Sequence, residues 1–230
     1  MGETHDSPAC FGTTIVFLDF DGVLNVFPEH PATVEMIGRM NATTDGEHDP
    51  MNMYSKEHAF PIDGSDVVDT GRSGCWPIHW STELAGAIYA FAEAGTIDLR
   101  WLSTWQPFAN MLDVFLDWDS DVLGNTDWYG FYTGRGRAHG KLKAVCSEVL
   151  QQRQVLEEGG LPQPIVWVDD EETGSYSLNL LANSVIPSPI LMVKPDERIG
   201  ISRTQWNTIC RFVQEPPSEA SVIYAPTGDE

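Results

Sequence analysis

The sequence predicts an α/β fold, a Rossmann-like parallel sheet with helices on both faces. Two observations carry this prediction. Short, almost purely apolar runs rich in β-branched and aromatic residues recur along the chain and stop at polar residues, the pattern of strands buried on both faces. Between them, apolar residues repeat at i, i+4 and i+7, the spacing of one helix face. Length sets the scale. The 230 residues make one domain with a single elaboration, and such a chain buries roughly 70% of its unfolded surface without disulfide staples.

Residues 1–12 read as a loose tail. Thr14–Phe20 is the first strand and stops at Asp21-Gly22. Residues 22–80, rich in Pro, Gly, His, Met and Asp, break the alternation and are too long for a slack loop. A cap or lid insertion is expected at about 26–80, with Met51–Phe60 and Val67–Asp69 paired as a hairpin across Ile62–Ser65. Ser81 caps a helix in which Leu84, Ile88 and Phe91 share a face and Gly95 is the stop. Ile97–Leu102 alternates Ile97, Leu99 and Trp101 against Asp98 and Arg100, a second strand. Pro107 opens a helix carrying Phe108, Leu112 and Phe115 on one side. Leu142, Val145, Val149 and Leu156 mark a longer helix that ends at Gly159-Gly160. Ile165–Val168 and Ile190–Val193 are further strands. Ser202 and Gln205 form a capping box ahead of Trp206, Ile209 and Val213. The folded domain spans 13–214, and 215–230, opened by Glu215-Pro216-Pro217, reads as a second flexible tail.

Charge and composition narrow the function. Thirteen Lys and Arg against 34 Asp and Glu leave a formal charge of −21, which repels polyanions and argues against a broad nucleic-acid or anionic-membrane surface. The longest apolar runs fall far short of the roughly 20 residues that cross a bilayer, and Met1–Gly12 lacks the order of a signal peptide. A soluble cytoplasmic protein is expected. Cys10, Cys75, Cys146 and Cys210 show no C-x-x-C spacing and read as reduced, mostly buried thiols. The histidines show no paired spacing, so zinc is not expected.

The chemistry sits at element ends. Asp19 and Asp21, one residue apart after the first strand, point toward the crevice where α/β sheets bind ligands. Two anions held so close need a cation or a shared proton, and converging oxygens suit Mg²⁺. Ser103 and Thr104 follow the second strand. Lys141 begins a helix with Lys143 beside it, and Asp169-Asp170 ends a third strand. Any one of these pieces is common by itself; all four in this order form a constellation. The loop Gly134–Gly140 superficially resembles a phosphate loop, but its glycine spacing fails and Leu142 stands where Ser or Thr belongs. Its Arg135 and Arg137 remain candidates for a substrate phosphate. Trp101, Trp167 and Trp206 fall on core faces, whereas Trp76, Trp80, Trp105 and Trp128 lie nearer loops, where an aromatic can stack on a nucleobase.

On these motifs the sequence resembles the haloacid dehalogenase superfamily of phosphotransferases. Within it, the chain is similar to the phosphatase-like domains of Swiss Army Knife RNA repair proteins. Asp-Gly-Val-Leu-Asn at 21–25, Ser103-Thr104-Trp105, Trp167-Val168-Asp169-Asp170-Glu171 and the 194–201 stretch carry the likeness, which spans about 14–214. The resemblance implies a phosphatase with a small cap and Mg²⁺ as cofactor. Asp19 would be the nucleophile and Asp21 the acid and base. Ser103 and Lys141 would hold the phosphoryl group, with Lys143 and Thr104 as the alternatives. Asp19, the Asp21 carbonyl, Asp169 and Asp170 would bind the metal. The implied substrate is a small phosphomonoester, with a nucleotide or nucleic-acid end suggested by the subgroup. A phosphomutase or other phosphotransferase, and a non-catalytic nucleotide-binding protein, stay open.

Overall fold

A computed structural model describes residues 11–28, 53–130 and 133–227. The expected N-terminal tail therefore lies almost wholly outside the described residues, as does 29–52 of the expected insertion. The chain builds a six-stranded parallel sheet, in the order β5-β4-β1-β6-β7-β8. Its strands are β1 (Thr14–Leu18), β4 (Ile97–Trp101), β5 (Gly124–Asn125), β6 (Ile165–Val168), β7 (Ile190–Val193) and β8 (Val222–Ala225). A separate antiparallel hairpin joins β2 (Gly64–Asp69) to β3 (Cys75–Trp80).

Period-2 alternation distributes each buried strand between two cores. Val16 and Leu18 of β1, Val166 and Val168 of β6, and Leu191 and Val193 of β7 pack into one cluster. Their neighbours Ile15, Phe17, Ile165, Trp167, Ile190 and Met192 pack into the other. Helices α1 (Thr82–Glu93), α2 (Ala109–Leu116) and α5 (Arg203–Gln214) cover the first face through Leu84, Leu112 and Ile209. The second face is covered by α3 (Gly140–Glu157) and α4 (Ser175–Ala182), through Leu142, Val145 and Leu181. This is the α/β, Rossmann-like layering expected of the sequence. Among the described residues no helix is long and apolar enough to cross a membrane.

The helix ends follow their local chemistry. Ser81 Oγ accepts from Leu84 N at 3.3 Å, and Ser202 with Gln205 forms the full capping box. Pro107 lies in a 3-10 turn over Gln106–Phe108, one step ahead of the helix it was expected to open.

Five expectations are corrected. The strand paired with Gly64–Asp69 is Cys75–Trp80, not Met51–Phe60: Gly71 and Gly74 take positive φ, and Thr70 Oγ1 donates to Gly74 O at 2.8 Å, closing the turn there. Pro77 within Cys75–Trp80 hides this strand from a pattern reading, yet a two-stranded hairpin tolerates it. The stretch 215–230 is not a tail throughout, because Val222–Ala225 pairs in parallel with β7. Leu156 is 49% exposed near the end of α3. Trp80 and Trp105 are core residues rather than loop aromatics. Of the described cysteines, Cys75 is exposed and Cys146 and Cys210 half-buried, so burial is less than expected; all three are free thiols.

The hairpin is not a detached flap. Its Val68, Ile78 and Trp80 join the first core. His79 N donates to Asn25 Oδ1 at 2.8 Å, and Val26 N to His79 O at 2.9 Å, pinning β3 to the turn after β1.

Candidate active site

The sheet order puts the candidate residues together. The chain leaves β1 for β4 on one side and returns to β6 on the other, so the carboxyl ends of β1 and β6 flank a switch point. Asp19 follows β1, Ser103 follows β4 and Asp169-Asp170 follows β6, while Lys141 enters on the first turn of α3. Asp19, Ser103, Lys141 and Asp169 are all buried; Asp21, Thr104 and Asp170 are partly exposed.

Lys141 Nζ donates to Asp19 Oδ2 and lies 2.7 Å from Asp169 Oδ2. The second contact is an ion pair outside hydrogen-bonding geometry. Asp19 Oδ1 accepts from Phe20 N at 2.7 Å, and Asp169 Oδ1 accepts from Glu171 N and Glu172 N at 2.9 and 2.6 Å. Lys143, by contrast, is exposed and donates to Ala138 O at 3.1 Å. The structure thus brings Lys141, not Lys143, to the carboxylates.

Burial pushes the Asp19 carboxyl up to about 8; Lys141 pulls it down, Asp169 pushes it further up, and a hydrogen bond from Ser103 lowers it. Burial likewise raises Asp170, to about 6, helped by the charge of Asp169. Burial opposes the Lys141 charge, but Asp19 and Asp169 outweigh it and raise the ammonium above its ordinary value. Three carboxylates share one ammonium. Asp19, Asp169 and Asp170 each offer an oxygen within 4.8 Å of the others. An all-oxygen, electron-rich set short of positive charge fits a hard divalent cation of the Mg²⁺ class.

Gly22 makes room for this set. Its φ is +69°, and a Cβ there would meet Asp170 Oδ2 at 2.3 Å. Asp21 is held at both oxygens: Asn25 Nδ2 donates to Oδ1 and Trp105 Nε1 to Oδ2, each at 2.8 Å. Neither donor follows from the sequence alone, although Asn25 stands within the first motif. The contacts of Trp128 do not follow from the sequence either; its Nε1 donates to Ser103 O at 2.8 Å, and its ring lies 5.7 Å from Lys141 Nζ. Glu172 is the fourth, with Oε2 accepting from Leu142 N at 2.9 Å at the start of α3.

The remaining candidates divide. Thr104 and Arg137 line a cavity of about 300 Å³ that begins at Asp21. Arg135 is exposed in the neighbouring loop, outside that cavity. Comparison of the chain with family models, curated proteins and solved structures found no match.

Proposed function

We propose that the chain is a Mg²⁺-dependent phosphomonoester hydrolase acting through an aspartyl-phosphate. The observation that carries the reading is the buried Asp19, paired with Lys141 and set in a three-carboxylate cluster at the switch point. The resemblance of the four motifs to haloacid dehalogenase phosphotransferases supports it, and the β2–β3 hairpin is read as the base of a small cap.

Asp19 attacks phosphorus, and the bond from phosphorus to the ester oxygen breaks. Asp21 gives its proton to the leaving alcohol, then takes one from the water that attacks the aspartyl-phosphate. The bond from Asp19 to phosphorus then breaks and releases inorganic phosphate. Lys141 and Ser103 hold the phosphoryl oxygens as charge develops on them. Asn25 and Trp105 orient Asp21 for both proton transfers. Asp19, Asp169 and Asp170, with the Asp21 carbonyl, would hold Mg²⁺, which screens the repulsion between the anionic nucleophile and the anionic substrate.

Phosphate release from a panel of phosphomonoesters tests the reading. Release is expected with Mg²⁺, and is expected to vanish with EDTA and in Asp19→Asn. Transfer of phosphate to an alcohol without release would reassign the protein as a phosphotransferase. Tight retention without turnover would make it a binding protein.

A further inference from the structure

The cavity beside Asp21 differs in character from the carboxylate cluster. Asp21 is the one carboxylate and Arg137 the one cation among its described lining residues. Four aromatic side chains form its walls: Trp76, Trp105, Phe108 and Tyr129. They converge from three places, the hairpin strand β3, the stretch after β4 and the segment before α3. Arg137 lies over the Tyr129 ring, 5.2 Å from its centroid. Trp105 is buried and engaged with Asp21, whereas Trp76 is 51% exposed. One exposed indole is ordinary. An exposed indole that lines one concave space with three further aromatics is the composition of a small-molecule pocket.

Position ties this pocket to the reaction. If Asp21 protonates the leaving oxygen, the group carried by that oxygen extends into the space that Asp21 lines. The volume, about 300 Å³, is at the lower end of ligand pockets, roughly 300–1,000 Å³. Its lining is aromatic, and Ser73 and Thr104 add hydroxyl-bearing side chains to it. A polyol would want several amide and charged partners instead.

We infer that the substrate is a phosphomonoester whose alcohol carries a flat, heteroaromatic ring of nucleoside size, with Trp76 and the Arg137–Tyr129 pair as ring contacts. A nucleoside monophosphate has this chemistry, and so does the terminal nucleotide of a short oligonucleotide. The inference rests on the phosphatase reading above, which fixes the direction from Asp21 into the pocket.

Phosphate release is measured for a purine nucleoside monophosphate, an end-phosphorylated dinucleotide, phenyl phosphate and glycerol phosphate. Wild type, Trp76→Ala and Arg137→Gln are compared, and equilibrium dialysis of the same compounds against Asp19→Asn and Asp19→Asn/Trp76→Ala runs in parallel. In wild type, kcat/KM for the nucleotide is expected to exceed that for glycerol phosphate by about tenfold or more, the scale of one base–aromatic stack. Trp76→Ala is expected to remove most of that ratio through KM, and Arg137→Gln part of it. The relative rates of mononucleotide and dinucleotide identify which source the pocket takes. Equal kcat/KM for nucleotide and glycerol phosphate, or a ratio unmoved by both substitutions, overturns the pocket while leaving the hydrolase intact. Release from no compound overturns the hydrolase, and dialysis then judges the pocket. Nucleotide retained by Asp19→Asn and lost on adding Trp76→Ala upholds it; no retention overturns it.

Discussion

Single carboxylates in this chain do different work because their surroundings differ. Asp19 is buried against an ammonium and a second carboxylate, whereas Asp21 is partly exposed and held by two neutral donors. Asp113 on α2 is a third case, outside the cluster. It is buried and accepts from Trp101 Nε1 at 2.8 Å; burial raises its carboxyl above the ordinary 3.8, against the pull of that hydrogen bond. The folded chain therefore keeps this proton to higher pH than the unfolded chain. Between the ordinary value and the raised one the folded state binds more protons, so stability falls as pH rises through that window. Asp113→Asn keeps an acceptor for Trp101 and removes the titration. Its melting temperature relative to wild type is expected to climb as pH rises from below the ordinary 3.8 through the raised value, read from paired thermal melts.

At the scale of elements, α3 matters most, because its first turn carries Lys141. The helix starts after His139, a non-glycine residue at φ 51°, and no side chain of its own caps it. Its first-turn donor, Leu142 N, is met by Glu172, whose own N–H goes to Asp169 Oδ1. The turn after β6 thus fastens the helix that delivers the lysine, and a carboxylate there also complements the helix dipole. In the proposed hydrolase Glu172 acts as a positioning residue. Glu172→Ala is expected to cost about 1 kcal/mol of stability, the value of a typical N-terminal cap, measured as a shift in urea midpoint. Its kcat is expected to fall while KM changes little, and Glu172→Gln, which keeps the acceptor, is expected to recover most of that kcat. A merely structural role would not produce this split.

Over the whole molecule, β8 closes one side of the sheet. Val222–Ala225 pairs along the full length of β7, and Lys194 N donates to Ala225 O at 3.0 Å. Gln205 Nε2 donates to Lys194 O at 2.7 Å, so the α5 capping residue also braces the end of β7. Without β8, the fully buried Ile190–Val193 strand would become a flat apolar edge open to other chains. A chain ended at Glu215 is expected to melt at lower temperature than the full chain and to aggregate with rising concentration. Thermal melts and light scattering over a dilution series check both.

Much of this was legible in the sequence, because local patterns carry local causes. Continuous apolar runs mark the strands buried on both faces, Ser81 and Ser202 mark helix starts, and acidic or hydroxyl residues mark the strand ends where α/β sheets bind ligands. Periodicity could not say which distant segments meet. The choice between Lys141 and Lys143 shows why. Two residues apart on a helix, they point about 200° away from each other, so only one can face the sheet, and the packing of Leu142, Val145 and Val149 decides which. Asp19 meets Lys141 across 122 residues of chain and Trp105 reaches Asp21 across 84, contacts that the assembled sheet and its helices make. The partner of β2 and the pairing of β8 belong with them, since a short strand containing a proline or following one is recognised only by the edge it joins. The sequence by itself determined which residue types stand at strand and helix ends. Tertiary structure decided which of them touch, because contact depends on the order in which the strands assemble.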